Sequence, residues 1–254
     1  MDGRPLVEDI SLALNPGELT IVIGPNGAGK STLMKVLTGE LEPSKGAVKF
    51  DGRTLSEIKP QELAGRRAVV PQSTTLTFPF TVIEVVLLGA TVPGFARPSS
   101  QNLTRARSAL ANVELMDFEN RLHTTLSGGE QQRVHLARAI CQLESSVETG
   151  PRAKLLLLDE PTSNLDLKHQ LHVLRELRRR TRAGWTTFAI LHDLNLAALF
   201  ADQLIVMSNG RIAKTGSVHD VFQQDVLTHV YQCDVATGVH PTSGRPYILP
   251  PSEL

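Results

Sequence analysis

The sequence predicts an α/β fold with a mainly parallel sheet, and three features carry that expectation. Short apolar runs alternate with helical patterns along most of the chain. Leu155-Leu156-Leu157-Leu158 is apolar without alternation, as in a parallel strand covered on both faces. A glycine-rich segment, Gly24 to Ser31, stands between an apolar run and a helical pattern, where open α/β sheets bind their ligands.

Taken in order, Ile10, Leu12 and Leu14 alternate with polar or small residues, Pro16-Gly17 marks a turn, and Leu19 to Ile23 is apolar, which together predict a hairpin. A helix is expected from Ser31 to Thr38, with Leu33, Met34, Val36 and Leu37 on its apolar side and Gly39 ending it. Further strands are expected at Ala47 to Phe50, Ala68 to Val70, Leu155 to Leu158, Thr187 to Leu191 and Leu204 to Met207. Between Ser73 and Ile140 the pattern turns mostly helical, interrupted at Pro93-Gly94 and Arg97-Pro98, and reads as an insertion spanning approximately residues 73–142. Leu167, Leu171, Leu174 and Leu177 predict an amphipathic helix whose other face, with Arg175, Arg178, Arg179 and Arg180, reads as solvated. Residues 1–235 are expected to form one domain, and residues 236–254, with His240-Pro241 and Pro250-Pro251, an irregular tail.

Composition narrows the function classes. Hydrophobic residues are 41% of the chain and charged residues 20%, which excludes disordered and fibrous classes. The 26 basic and 26 acidic residues balance, so no global charge draws nucleic acid, and no nucleic-acid partner is expected. The uncharged stretch Ala68 to Ile83 carries Pro71 and Pro79, so it is not expected to span a bilayer. The N-terminus lacks a basic region leading into an apolar one, so the chain is expected to stay in the cytoplasm. Cys141 and Cys233 lie far apart without CxxC spacing, so neither a disulfide framework nor a zinc site is indicated.

Gly24-Pro25-Asn26-Gly27-Ala28-Gly29-Lys30-Ser31 fits G-x-x-x-x-G-K-[ST]. Glycines let backbone N–H groups turn toward phosphate oxygens, Lys30 reaches the β/γ-phosphates, and Ser31 can ligate Mg²⁺. Asp159 and Glu160 follow the leucine run at a strand end, Asp159 suited to Mg²⁺ and Glu160 to polarising the attacking water. Two acidic residues favouring a helix dipole are the simpler reading of that pair. Ser127-Gly128-Gly129-Glu130 matches a capping box, and its glycines also allow a phosphate to come close.

With these residues on view, the chain resembles the nucleotide-binding subunit of ATP-binding cassette (ABC) transporters. The resemblance rests on Gly24 to Ser31, on Leu126-Ser127-Gly128-Gly129-Glu130-Gln131-Gln132-Arg133, and on Leu155 to Glu160, in that order. It implies a P-loop NTPase core, an antiparallel β subdomain and an inserted α-helical subdomain. It implies ATP and Mg²⁺ as cofactors, with Gly24 to Ser31 and Thr32 on the nucleotide and Ser31, Gln72 and Asp159 toward the metal. Glu160, His192 and Lys30 would be catalytic. Two cassettes would pack head to tail, so that Ser127, Gly128, Gly129, Glu130 and Asp166 complete the partner's nucleotide site. The family also carries an upstream strand with an aromatic that stacks on adenine. Here nine residues precede Ile10 and the first aromatic is Phe50, so no adenine-stacking residue is assigned.

A transport ATPase, a soluble ABC protein acting on ribosomes or DNA, and a cassette kept only for binding are separable. One cassette, 97 positions from Lys30 to Ser127, and intact Lys30, Glu160 and His192 favour transport. Thr77-Phe78-Pro79-Phe80-Thr81-Val82, Leu87-Leu88-Gly89 and His192-Asp193-Leu194-Asn195-Leu196-Ala197 resemble importers of iron chelates, hemin and cobalamin. The segment Cys141 to Lys154, with Gly150-Pro151, and the stretch Asp193 to Asp202 resemble hemin importers most. That resemblance implies transmembrane permease subunits, a periplasmic or surface substrate-binding protein, and a peripheral position on the cytoplasmic face of the inner membrane. Phe78 and Phe80 are the expected permease contacts.

Overall fold

A computed structural model describes residues 6–72, 76, 78–90, 100–145 and 153–249. Thr77, Pro93-Gly94, Arg97-Pro98, Gly150-Pro151 and Pro250-Pro251 lie outside the described residues. Strand β1 (Leu19–Ile23) runs through the glycine loop into α1 (Lys30–Thr38), which Gly39 ends in the left-handed conformation at φ 74°. A ribbon of β2 (Lys49–Phe50) and β3 (Arg53–Thr54) follows, then α2 (Pro60–Ala64) and β4 (Arg67–Val70). The next three helices are α3 (Val82–Ala90), α4 (Ser100–Ala111) and α5 (Gly128–Ser145). Alternation then resumes with β5 (Leu155–Asp159), α6 (Leu167–Arg182), β6 (Thr186–Ile190), α7 (Leu194–Phe200), β7 (Gln203–Ser208) and β8 (Arg211–Gly216). The described chain closes with α8 (Val218–Val221), α9 (Gln224–Tyr231), and the paired strands β9 (Ala236–Val239) and β10 (Pro246–Leu249).

The central sheet has the order β4-β5-β6-β1-β7-β8, parallel except for β8. The leucine run shows why its strand does not alternate. Leu156 and Leu158 enter one apolar cluster with α3 to α7, while Leu155 and Leu157 enter a second cluster with Leu33 and Met34 of α1. Both faces of β5 are covered, so every position is apolar.

Several expectations change. Residues 10–14 form no strand: Ile10, Leu12 and Leu14 are half-buried against the second cluster, but no neighbouring strand offers a ladder. The alternation there records burial without pairing. The strand expected from Ala47 is limited to Lys49–Phe50, which pairs with β3. The arginine face is not wholly solvated. Arg180 is buried, paired with Glu176 and Glu144, and its guanidinium lies 5.2 Å from the Trp185 ring centroid. The tail is not irregular through residue 249. β9 and β10 pair antiparallel, and Ile248 packs on the main core. Cys141 is buried and Cys233 exposed.

Candidate nucleotide site

Four adjacent strands, β4-β5-β6-β1, end on one edge of the sheet and deliver the candidate residues side by side. Gln72 lies two residues beyond β4, Glu160 follows β5, His192 lies two residues beyond β6, and Gly24 follows β1. Register brings them level, since Val70 pairs with Leu158, Asp159 with Ile190, and Ile190 with Val22. This is the carboxyl-end crevice in which parallel sheets bind ligands.

Gly24 has φ 150°, and a Cβ there would stand 2.3 Å from the Met207 carbonyl oxygen at the end of β7. Only glycine lets the loop turn so tightly against its neighbouring strand. Lys30 is buried, and its Nζ donates to the carbonyls of Gly24 at 2.7 Å and Pro25 at 3.0 Å. Burial holds its pKa below the usual lysine value, with Glu160 and Asp159 opposing that shift. The ammonium is thus kept inside the loop on weak carbonyl acceptors that phosphate oxygens can replace.

Glu160 is the hub of the cluster. Gln72 Nε2 donates to its Oε2 at 2.7 Å, and His192 Nε2 contacts its Oε1. Its backbone sits at φ 52°, a conformation that costs energy for a non-glycine residue. Ser163 Oγ at 2.9 Å and Gln132 Nε2 at 3.3 Å donate to its carbonyl and support that geometry. Asp159, beside it, has a buried Oδ1 without a hydrogen-bond partner. Burial first, and Glu160 second, push its carboxyl above the usual range. A buried carboxylate oxygen with an open valence fits a hard cation with oxygen ligands.

The Ser127 turn is built locally. Ser127 N and Oγ donate to Glu130 Oε2 at 2.7 and 2.8 Å, while Glu130 N donates to Ser127 Oγ at 3.3 Å. These bonds hold the Glu130 carboxyl below the usual range. The capping box is therefore real, and Ser127 and Gly128 are exposed beside it. A Cβ on Gly129 would meet the Asn164 carbonyl at 2.7 Å, so glycine allows the Ser163 to Asp166 loop to pack on the start of α5. Asp166 caps α6, accepting from His169 N at 2.9 Å.

Residues 7–163 match the family described as ABC transporter. A protein named hemin import ATP-binding protein HmuV, from Agrobacterium fabrum, is 48% identical over 98% of this chain and 94% of its own length. The protein of that name from Rhizobium meliloti is 44% identical over 98% and 94%. The chain belongs to the ABC transporter family. Solved ABC structures share the fold. A metal-chelate type ABC transporter in an inward-facing conformation has a TM-score of 0.79 at 28% identity, covering 96% of this chain and 91% of its own. A dimeric bacterial ABC transporter cassette has a TM-score of 0.73 at 27% identity, covering 84% and 90%.

This ABC cassette is an ATPase, and the crevice at the four strand ends is its candidate nucleotide site. Gln72, Glu160, His192 and the lysine loop meet there, whereas the Ser127 turn and Asp166 are held by their own neighbours. The sequence assigns no role to Gln132 or Ser163, although Gln132 lies inside the Leu126 to Arg133 segment. Their contacts go to a backbone carbonyl, which side-chain chemistry does not announce. The two phenylalanines also separate. Phe78 is 68% exposed, while Phe80 packs on the main core and its carbonyl accepts from His123 N. The exposed ring is the better candidate for a contact with another subunit.

Proposed function

We propose that this cassette hydrolyses ATP to drive hemin import through a separate membrane permease. The hemin-import names of relatives that match nearly the whole chain are the observation that supports this reading. ATP enters the crevice with its phosphates on the N–H groups of the Gly24 to Ser31 loop, where Pro25 alone has none to donate, and on Thr32 beyond them, displacing the carbonyls from Lys30. Ser31 and Asp159, assisted by Gln72, would hold Mg²⁺, which supplies charge neutralisation on the β/γ-phosphates. Glu160 takes the proton of the attacking water, and for this one of its two occupied oxygens exchanges its protein partner for water. His192 then faces the γ-phosphate.

Two such cassettes pair head to tail, so that Ser127, Gly128, Gly129, Glu130 and Asp166 of one meet the nucleotide of the other. Phe78 docks the permease, and a periplasmic or surface substrate-binding protein supplies the cargo. Among the described residues no helix is long and apolar enough to cross a membrane. The cassette works peripherally on the cytoplasmic face of the inner membrane, held there by its permease.

A second reading, a ferric-siderophore or cobalamin importer, draws on the fold shared with a metal-chelate type transporter. Co-purification of the permease and ATPase assays in proteoliposomes decide between them. Hemin on the binding protein should stimulate turnover several-fold. Stimulation by siderophore or cobalamin alone overturns the hemin reading.

A further inference from the structure

The strands β9 and β10 lie outside the residues that match the family, and nothing in the nucleotide site calls for them. They nevertheless grip one particular helix. Asn195, in the first turn of α7, uses both ends of its amide on β10: Nδ2 donates to the Ile248 carbonyl at 3.2 Å, and Oδ1 accepts from Ile248 N at 2.8 Å. The side chain thereby takes the place of a strand neighbour along an open sheet edge.

Arg245 holds the other end. Its Nη1 donates to the carbonyls of Ala198 at 2.9 Å and Ala201 at 2.8 Å. Arg178 of α6 donates to the carbonyl between them, Leu199, at 3.3 Å. The last carbonyls of a helix lack partners within it, and cations complement that end of its dipole. Two arginines therefore satisfy the terminus of α7, one of them supplied by the tail.

Two anchors separated along a helix fix its rotation and its position along the axis, which a single contact cannot do. What α7 carries at its start is His192, followed by Asp193, whose Oδ1 caps the helix by accepting from Leu196 N at 2.9 Å. His192 reaches from this start to Glu160. We propose that β9 and β10 form a brace for the catalytic centre, with Asn195 and Arg245 as positioning residues that hold α7, and through it His192, in register with Glu160. This rests on the role given to His192 above.

The test compares Arg245→Ala, Arg245→Lys, Asn195→Ala and His192→Ala in the full chain, by steady-state ATP hydrolysis and thermal melting. Displacing a catalytic group by about 1 Å can cost about 10²-fold, so a partial release of α7 should lower kcat about tenfold in Arg245→Ala. KM for ATP should stay within about twofold, because loss confined to kcat marks an interaction made in the transition state. Arg245→Lys should regain most of kcat, since one ammonium can serve both carbonyls that a single guanidinium nitrogen serves here. Asn195→Ala should show the same split, which keeps the proposal testable if Arg245→Ala fails to fold. Parental kcat in both alanine variants, with His192→Ala impaired, overturns the brace alone. So does a fall in kcat that tracks lost folded protein and is not regained by lysine. Parental kcat in His192→Ala overturns the brace together with the role of His192.

Discussion

Two clusters in this cassette are built on opposite plans. Around Glu160, hydrogen bonds join residues far apart in sequence: Gln72 is 88 positions away, His192 is 32 and Gln132 is 28. Around Ser127 and Asp166, the bonds run three positions along the chain, from Ser127 to Glu130 and from Asp166 to His169. The first cluster exists only when the whole sheet has formed, so its members depend on one another. The second is assembled by two helix starts and leaves Ser127 and Asp166 exposed. The Glu160 cluster is bonded across the sheet, whereas Ser127 and Asp166 stay outward with side-chain hydrogen bonds to near neighbours.

The largest break in this contrast is Glu160→Gln. An amide keeps the size of the side chain but cannot act as a base, so turnover should fall about 10²-fold or more while ATP binding persists. Because Glu160 and His192 share a hydrogen bond, Glu160→Gln with His192→Ala should cost far less than the two losses combined. Single-turnover assays beside nucleotide titration measure both. Additive losses would show that the cluster does not work as a unit.

Next comes the exposed side of the inserted helices. Phe78→Ala should leave melting and basal hydrolysis unchanged, because its ring is mostly in solvent. Truncating an interface aromatic commonly costs about 2 kcal/mol, so binding to the permease should weaken roughly thirtyfold. Phe80→Ala should act in the opposite way, lowering the melting temperature, since its ring packs on the core. Reversal of the two results would place Phe80, not Phe78, at the partner surface.

Behind the Ser127 turn lies a buried pair, His123 and His135, with ring centroids 5.0 Å apart. His135 has neither ring nitrogen bonded, and burial, Arg138 and His123 push its pKa down to about 4. Burial and Arg138 lower His123 as well. The unfolded chain takes a proton near the ordinary value of 6.5, which the folded chain refuses until about 4. Stability is therefore intact above pH 6.5 and drains away as pH falls through that window. By pH 5.5, one such group shifts the unfolding equilibrium about tenfold. His135→Phe should flatten this slope in urea titrations at pH 7.5 and 5.5. An unchanged slope would take His135 out of the account.

How much of this was legible in the sequence follows the same division. The placement of the Gly24 loop, Asp159 and Glu160 at strand ends was readable because each directly follows a short apolar run. The cap at Ser127 was readable because it is local. The αL backbone of Glu160 and its support by Gln132 and Ser163 were not, since they arise where separate strands converge. Ile10, Leu12 and Leu14 misled because alternation reports which side is buried, not whether a partner strand exists. The pairing of Pro246 to Leu249 with β9 was hidden by proline and turn residues around it, and Arg180 by neighbouring arginines that do reach solvent.

The smallest effect expected is also the sharpest check on what local support means. Ser127→Ala removes the hydroxyl that accepts from Glu130 N and donates to Glu130 Oε2, leaving the Glu130 carboxylate only its bond from Ser127 N. Losing a serine cap costs about 1 kcal/mol, or about fivefold in the unfolding equilibrium. For a chain of this size that corresponds to a fall of about 2–4 °C in melting temperature. Among the described residues no hydrogen bond joins Ser127 directly to Glu160, Gln72 or His192, so single-chain nucleotide binding should match the parent, measured by titration at low protein concentration. Hydrolysis that depends on pairing should drop at the same time, because in the proposed head-to-tail pair the hydroxyl would face the other cassette's ATP. Impaired nucleotide binding in the isolated chain would mean that the two clusters are coupled within one molecule, and the contrast between them would fail.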